Sequence, residues 1–226
     1  MLSAPQNSPA ATLLSANLEQ VRARIAAAAA SCGRDVRSIT LLAMSKGQDA
    51  GRIRAAHALG LDCFGENYVT EALPKIDALA DLPITWHFTG MLQGNKTRPV
   101  AEHFDWVHGL DSVRIAERLS AQRSHHAPPL NVCVQVNVAD EASKGGVEPQ
   151  ELPALLAAVA AMPRLALRGL MCMLPHDAPP PLQHEGFGKL RQLLEAANAA
   201  GHSLDTLSMG MSDDMEAAIC EGATVA

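Results

Sequence analysis

The chain has 226 residues, of which 48% are hydrophobic, and a formal net charge of −6. This length and composition can support a large α/β core, and we predict one domain over residues 10–226 behind a flexible segment at 1–9. The acidic balance, without a basic stripe, argues against nucleic acid as a partner. The sequence contains no basic leader and no run of about 18 apolar residues, which predicts a cytoplasmic protein without a membrane span.

The cysteines and histidines give no sign of a metal or disulfide framework. The five cysteines are widely spaced and include no C-x-x-C pair. Cys133 and Cys172 lie within apolar runs, where small thiols are commonly buried, so we predict reduced core thiols. The nine histidines show no H-E-x-x-H spacing, and His125 and His126 are adjacent in a proline-flanked loop, so no metal site is predicted.

Hydrophobic periodicity predicts alternating helices and strands. Leu14, Leu18, Val21 and Ile25 recur at helical spacing and predict an amphipathic helix over 10–32. Continuously apolar segments such as "LNVCVQVNV" are typical of parallel strands covered by helices. The predicted strands are 39–45, 62–65, 85–89, 106–110, 130–138, 165–173 and 205–209. The predicted helices after the first are 50–59, 69–79, 96–103, 113–122, 149–161, 182–200 and 213–221.

Seven strand-helix units, followed by "TVA" at 224–226 as the start of an eighth strand, fit a (β/α)8 barrel better than a doubly wound sheet. No G-x-G-x-x-G follows a strand, and "GMLQGNKT" at 90–97 departs from P-loop spacing. We therefore predict an α/β, TIM-barrel-like single domain with an extra N-terminal helix and a truncated eighth strand. The loops after the strands of such a barrel gather on one face, where binding residues are expected.

A lysine stands at the end of the first predicted strand. Lys46 follows the apolar "ITLLAMS" directly and is followed by Gly47. Most lysines are solvated loop residues, and Lys144 in the glycine- and charge-rich "DEASKGGV" is a competing candidate. An amine at a barrel mouth is expected to be partly desolvated and able to form a Schiff base with an aldehyde. Lys46 is therefore the predicted carbonyl-reactive group.

The stretch "LSMGMSDDMEAA" at 207–218 is a candidate phosphate site. A strand turns through Gly210 into a helix whose start is marked by Ser212, Asp213 and Asp214. Backbone N–H groups and hydroxyls near a helix N-terminus can hold a phosphate. Helix capping by Ser212 explains this segment equally well when it is taken alone, and the two acids compete with an anion for the helix dipole.

The chain closely resembles the pyridoxal phosphate homeostasis proteins, which are single-domain relatives of the alanine racemase barrel. The matching stretches occur in order over most of the chain and are "LLAMSK", "FGENYVTEALPKI", "WHFTGMLQGNK", "VHGLDS", "LNVCVQVNV", "SKGGV", "LRGLM" and "LSMGMSDDMEAAICEGAT". The resemblance implies that Lys46 carries pyridoxal 5′-phosphate (PLP) as a Schiff base. The residues predicted to bind the cofactor are Lys46, Asn67, Ser208, Met209, Gly210 and Ser212.

The resemblance implies a carrier that takes part in intracellular PLP homeostasis without robust turnover, with PLP-dependent apo-enzymes as partners and a monomeric state. A racemase needs an acid/base on each face of the substrate carbon. Racemases of this barrel class use a tyrosine from a second domain, whereas the only tyrosine here is Tyr68. Two alternatives to the carrier remain, namely a PLP-dependent racemase and a barrel that acts through protein contacts alone.

The sequence departs from the family pattern in three places. "SKGQDA" and "GML" replace a threonine- or lysine-rich loop and a histidine, and both changes look peripheral. Family members also continue into an Arg-Ile-Gly-Thr segment whose arginine faces the pyridine nitrogen and whose amides bind phosphate. The given sequence ends at Ala226, just before that segment, which predicts an open sheet edge between the seventh and first strands.

Overall fold

The computed structural model describes residues 9–139 and 145–226. Seven strands form one sheet in chain order, and every neighbouring pair is parallel. The fold class predicted from the sequence is confirmed. The strands are β1 (Ala43–Met44), β2 (Cys63–Glu66), β3 (Thr85–Phe88), β4 (Trp106–Leu110), β5 (Leu130–Gln135), β6 (Leu165–Met171) and β7 (Thr206–Ser208).

A helix follows each strand, and one more precedes the sheet. The helices are α1 (Pro9–Ser31), α2 (Ala50–Ala58), α3 (Val69–Ala78), α4 (Thr97–His103), α5 (Val113–Gln122), α6 (Leu152–Ala160), α7 (Pro180–Ala199) and α8 (Met215–Cys220). The predicted helices are confirmed, with ends that shift by up to three residues. The expected flexible segment lies outside the described residues except for Pro9, which begins α1. Lys144 also lies outside them.

The C-terminal segment joins the two sides of the sheet. Val225 forms parallel bridges to Thr40 on one side and to Ser208 at the end of β7 on the other. The N–H of Leu42 donates to the carbonyl of Ala226 at 2.9 Å. The predicted start of an eighth strand is confirmed. The predicted open edge is wrong, because this segment is hydrogen-bonded to both flanking stretches.

The first helix covers this junction. Ile25, Ala28 and Ala29 of α1 form a small apolar cluster with Met215 and Ile219 of α8. Because burial of apolar surface is the main source of packing free energy, this cluster fixes α8 and the turn before it. The N-terminal amphipathic helix α1 therefore supports the barrel next to its truncated eighth strand.

A disulfide joins the ends of α1 and α8. Cys32 and Cys220 are bonded, with Cα atoms 5.3 Å apart and a separation of 188 positions in the sequence. The prediction of reduced thiols is wrong for this pair, because only the packing of α1 on α8 brings the two together. Cys63, Cys133 and Cys172 are free, as predicted.

The sheet separates an apolar layer from a polar interior. Phe88 of β3 meets Phe104 edge-to-face between the sheet and its helices, with ring centroids 5.4 Å apart. Since successive strand side chains alternate in direction, the neighbouring His87 points into the barrel. There it stacks on Trp106 of β4 with ring centroids 5.4 Å apart. The barrel interior therefore holds titratable groups.

Neither a membrane-spanning helix nor a cluster of metal ligands lies in the described part of the chain. No helix within it is long and apolar enough to cross a membrane. Residues 9–139 and 145–226 also contain no group of three or more histidine, cysteine or acidic side chains able to hold a metal ion.

Candidate functional site

Lys46 lies in the turn directly after β1. The N–H of Ser45 donates to the carbonyl of Gly65 at 2.9 Å and extends the pairing with β2 to this point. The Ser45 hydroxyl donates to the carboxylate of Glu66, which Lys75 of helix α3 also contacts, so Ser45 faces the helix layer. Lys46 is exposed and makes no ion pair or hydrogen bond within the described residues.

A buried ion cluster lies beneath this turn. The Lys75 ammonium, on a residue that is 7% exposed, donates to the Ser45 carbonyl at 2.7 Å. It also donates to the carboxylates of Glu66 at 2.7 Å and Glu71 at 2.6 Å. Glu71 in turn accepts a hydrogen bond from the N–H of Gly47. The residues on both sides of the exposed lysine are thus held by one cluster.

The charges of this cluster support one another. Burial disfavours the ammonium of Lys75, but the hydrogen bonds to Glu66 and Glu71 outweigh that penalty and raise its pKa. The hydrogen bonds from Lys75 and Gly47 lower the pKa of Glu71. This cluster was not predicted from the sequence, although Glu71 and Lys75 stand at the i, i+4 spacing of a helical ion pair.

Asn67 is positioned by β2 and β3. Its side-chain oxygen accepts a hydrogen bond from the Thr89 hydroxyl at 2.7 Å. Its backbone lies so close to Gly90 that any side chain at position 90 would clash with it. Asn67 lines a cavity of about 350 Å³ together with Tyr68, Met91 and neighbouring residues. Lys46 is not among the residues that line this cavity.

Ser208 ends β7 and faces two buried histidines. Its Oγ lies 2.7 Å from Nδ1 of His108 on β4, and Nε2 of His108 lies 2.8 Å from Nδ1 of His87 on β3. The hydrogen bond from β4 to β7 crosses the barrel interior, since two strands stand between them in the sheet. Neither histidine was predicted as a site residue from the sequence. No local pattern marks them, because the contact is made by three distant strands.

Both imidazoles are neutral at pH 7. Burial, with a contribution from neighbouring His108, lowers the pKa of His87 to about 3. Burial alone lowers the pKa of His108 to about 4. Each ring therefore carries a single N–H and one bare nitrogen.

The turn after β7 uses some of the backbone N–H groups that a phosphate would need. The N–H of Met209 donates to the carbonyl of Val225 at 3.1 Å, and the N–H of Met211 donates to the Asp214 carboxylate. Gly210 has a φ of +100°, a backbone conformation that residues with a side chain rarely adopt. Its own N–H has no acceptor within the described residues.

Ser212 is exposed and stands outside the following helix. Because α8 begins at Met215, Asp214 and not Ser212 occupies the N-cap position, so the capping expected of Ser212 is wrong. The carbonyl of Ser212 accepts a hydrogen bond from Arg24 at 2.7 Å, and Arg24 also pairs with Glu216 at 2.7 Å. Helix α1 thus fixes this turn, while the N–H of Ser212 has no acceptor in the part of the chain that the structure describes.

Comparison with known proteins agrees with the fold. The family model described as "Alanine racemase, N-terminal domain" matches residues 16–225. A protein of Pseudomonas aeruginosa named "Pyridoxal phosphate homeostasis protein" is 57% identical over 208 residues, which are 92% of this chain and 89% of the relative. The chain belongs to the pyridoxal phosphate homeostasis protein family.

A second relative and a solved structure support the assignment. The protein of the same name from Escherichia coli K12 is 49% identical over 92% of this chain and 91% of its own length. The structure of PipY from Synechococcus elongatus PCC7942 with PLP bound has a TM-score of 0.78 and 36% identity, covering 89% of this chain and 95% of PipY. The family fold therefore extends over nearly the whole chain.

Proposed function

We propose that this chain binds PLP reversibly as a Schiff base on Lys46 and takes part in intracellular PLP homeostasis without robust catalytic turnover. The observation that carries this proposal is an exposed amine at the C-terminal end of β1, on a turn held by the Lys75 cluster. Because the residues around Lys46 are fixed and its amine is free, the amine is available as a nucleophile for an aldehyde. PipY, a relative at 36% identity, has been solved with PLP bound.

The other described lysines are less suited to this role. Lys75 is engaged by two carboxylates and a carbonyl, and Lys189 donates to the carbonyl of Val138 at 3.2 Å. Lys96 lies in a short 3₁₀ turn beside the cavity that contains Asn67. Lys96 is therefore the matched control for Lys46.

The donors after β7 fit a phosphate group. A phosphate monoester offers only acceptors, and the N–H groups of Gly210 and Ser212 together with the Ser208 hydroxyl can supply donors. We assign Met209 a supporting part, because its N–H already holds the C-terminal segment. Asn67 is proposed to contact the ring of the cofactor, which would supply an aldehyde for reversible condensation with an amine.

The absence of robust turnover is proposed from the position of the only tyrosine. Tyr68 is the N-cap residue of α3 and is 62% exposed, so it faces solvent. A two-base racemase needs a second acid/base opposite its lysine. We expect no exchange of the alanine α-proton in heavy water when the PLP-loaded protein is followed by proton NMR. Exchange that depends on Lys46 would favour the racemase instead.

PLP-dependent apo-enzymes remain the proposed recipients of the cofactor. A carrier must release its ligand, and an imine to an exposed lysine is open to attack by water or by another amine. The monomeric state and the cytoplasmic location inferred from the sequence stay predictions.

The experiment is a visible absorbance titration with PLP. We expect a Schiff-base band in the wild type and in Lys96→Ala, and no band in Lys46→Ala. Thermal unfolding of each variant checks that all three chains are folded. Equal bands in the wild type and Lys46→Ala would refute the assignment of the reactive lysine.

A further inference from the structure

Ser208, His108 and His87 form a hydrogen-bonded chain that the lysine chemistry does not explain. All three side chains are buried, with exposures of 8%, 0% and 2%. Nε2 of His87 has no hydrogen-bond partner among the described residues. The chain therefore has one free end deep in the barrel and one end at Ser208, where β7 reaches the barrel mouth.

Two neutral imidazoles allow this chain only two arrangements of protons. In the first arrangement, His87 donates from Nδ1 to His108, which donates from its own Nδ1 to Ser208. In the second arrangement, Ser208 donates to His108, which donates from Nε2 to His87. The second arrangement leaves the Nε2–H of His87 as a buried donor without a described partner, and such orphaned donors are costly.

A phosphate group distinguishes between the two arrangements. Its oxygens are acceptors, so Ser208 can bind them only by donating its hydroxyl proton. That proton is free in the first arrangement and is used by His108 in the second. In the second arrangement the lone pairs of the hydroxyl would face phosphate oxygens, which is repulsive. The direction of the histidine chain thus decides whether Ser208 attracts or repels a phosphate.

Resting on the proposed function, we propose that His108 and His87 are positioning residues that hold Ser208 as a hydrogen-bond donor and so make the site favour phosphorylated over unphosphorylated pyridoxal. Neither histidine needs to touch the ligand, because both act through the Ser208 hydroxyl. His108 has the larger effect, since it contacts Ser208 directly, and His87 fixes the tautomer of His108.

The first test compares PLP with pyridoxal, using the visible band to measure affinity. We expect His108→Leu to weaken PLP binding about tenfold, the scale of one lost hydrogen bond to a charged group, and to leave pyridoxal within about twofold. His108→Asn, whose amide can place an N–H near the position of Nδ1, should restore most of the preference for PLP. Equal weakening of both ligands, or an Asn variant no better than Leu, would overturn the proposal.

A double-mutant cycle tests whether His108 acts through Ser208. In a Ser208→Ala background, His108→Leu should cause no further loss of PLP affinity, because the hydroxyl that it orients is gone. Losses that simply add would show that His108 affects binding by another route. Circular dichroism and thermal unfolding of the four proteins identify any loss caused by misfolding.

Nitrogen-15 NMR of the imidazoles shows directly which nitrogen of each ring carries the proton. With PLP or with inorganic phosphate bound, both rings should carry their proton on Nδ1. A proton on Nε2 of His108 in either complex would overturn the proposal. If the proposed function fails, the wild type shows no Lys46-dependent band. The measurement with inorganic phosphate still shows whether the two histidines hold Ser208 as a hydrogen-bond donor.

Discussion

At the scale of single residues, the candidate site combines the exposed amine of Lys46 with a turn that a buried ion cluster holds in place. Lys46 itself is exposed, whereas Lys75 beneath it is buried and bonded to two carboxylates and a carbonyl. The sequence was sufficient to propose Lys46 as the reactive amine, because a lysine directly after an apolar strand is unusual, and this role stays a prediction. It was not sufficient to find Lys75, since its partners Glu66 and Ser45 meet it only after β1, β2 and α3 have packed.

Removal of Lys75 should therefore destabilise the protein more than removal of an ordinary lysine. Lys75→Met leaves the fully buried Glu66 carboxylate without its counter-ion, and we expect a loss of about 3–5 kcal/mol in the free energy of unfolding. Urea denaturation measures this loss, and Lys96→Met is the matched control. The double variant Lys75→Met/Glu66→Gln should recover part of the loss. A Lys75→Met protein as stable as the control would contradict the assigned role of the cluster.

At the scale of elements, α1 and α8 form one unit with the turn before α8. Their apolar cluster, the Arg24–Glu216 ion pair and the Cys32–Cys220 bond all connect the same two helices. Helix α1 was predictable from its own periodicity. Its partner was not, because the two cysteines are 188 positions apart and no local spacing relates them.

Loss of the Cys32–Cys220 bond should lower stability under non-reducing conditions. The bond closes a loop over most of the chain, so Cys32→Ala should cost about 2–4 kcal/mol in the free energy of unfolding. Dithiothreitol should produce the same loss in the wild type and none in the variant. Cys63→Ala, which removes a free thiol, should keep the response to dithiothreitol. A wild type whose unfolding midpoint ignores dithiothreitol would contradict the disulfide.

At the scale of the whole molecule, the barrel class followed from repeated strand-helix units, while its closure and its interior did not. The first strand was predicted over 39–45 but is limited to Ala43–Met44. The N–H of Ser45 still donates to the carbonyl of Gly65 in β2, while Thr40 and Leu42 are hydrogen-bonded to the C-terminal segment. The contact between the buried histidines and Ser208 could not be predicted from the sequence either, since β3, β4 and β7 meet only in the closed barrel.

These histidines should make the stability of the molecule depend on pH. The unfolded chain takes up protons on them below about pH 6.5, whereas the folded pKa values of His87 and His108 lie at about 3 and about 4. The free energy of unfolding should therefore fall as the pH drops from 6.5, by up to about 1.4 kcal/mol per pH unit for each histidine.

Urea denaturation between neutral pH and pH 5 measures this slope. His108→Leu should reduce the slope by the share of one histidine, and His126→Gln, at an exposed position, controls for the loss of an imidazole. An unchanged slope in His108→Leu would contradict the neutral, buried state of this ring.

The most direct test of the account is to locate the cofactor on the chain. The wild-type protein is mixed with PLP, the Schiff base is reduced with borohydride, and the proteolytic peptides are read by mass spectrometry. The account predicts a pyridoxyl adduct on the peptide that contains Lys46. An adduct confined to Lys96, Lys144 or Lys189, or no adduct on any lysine, would contradict it.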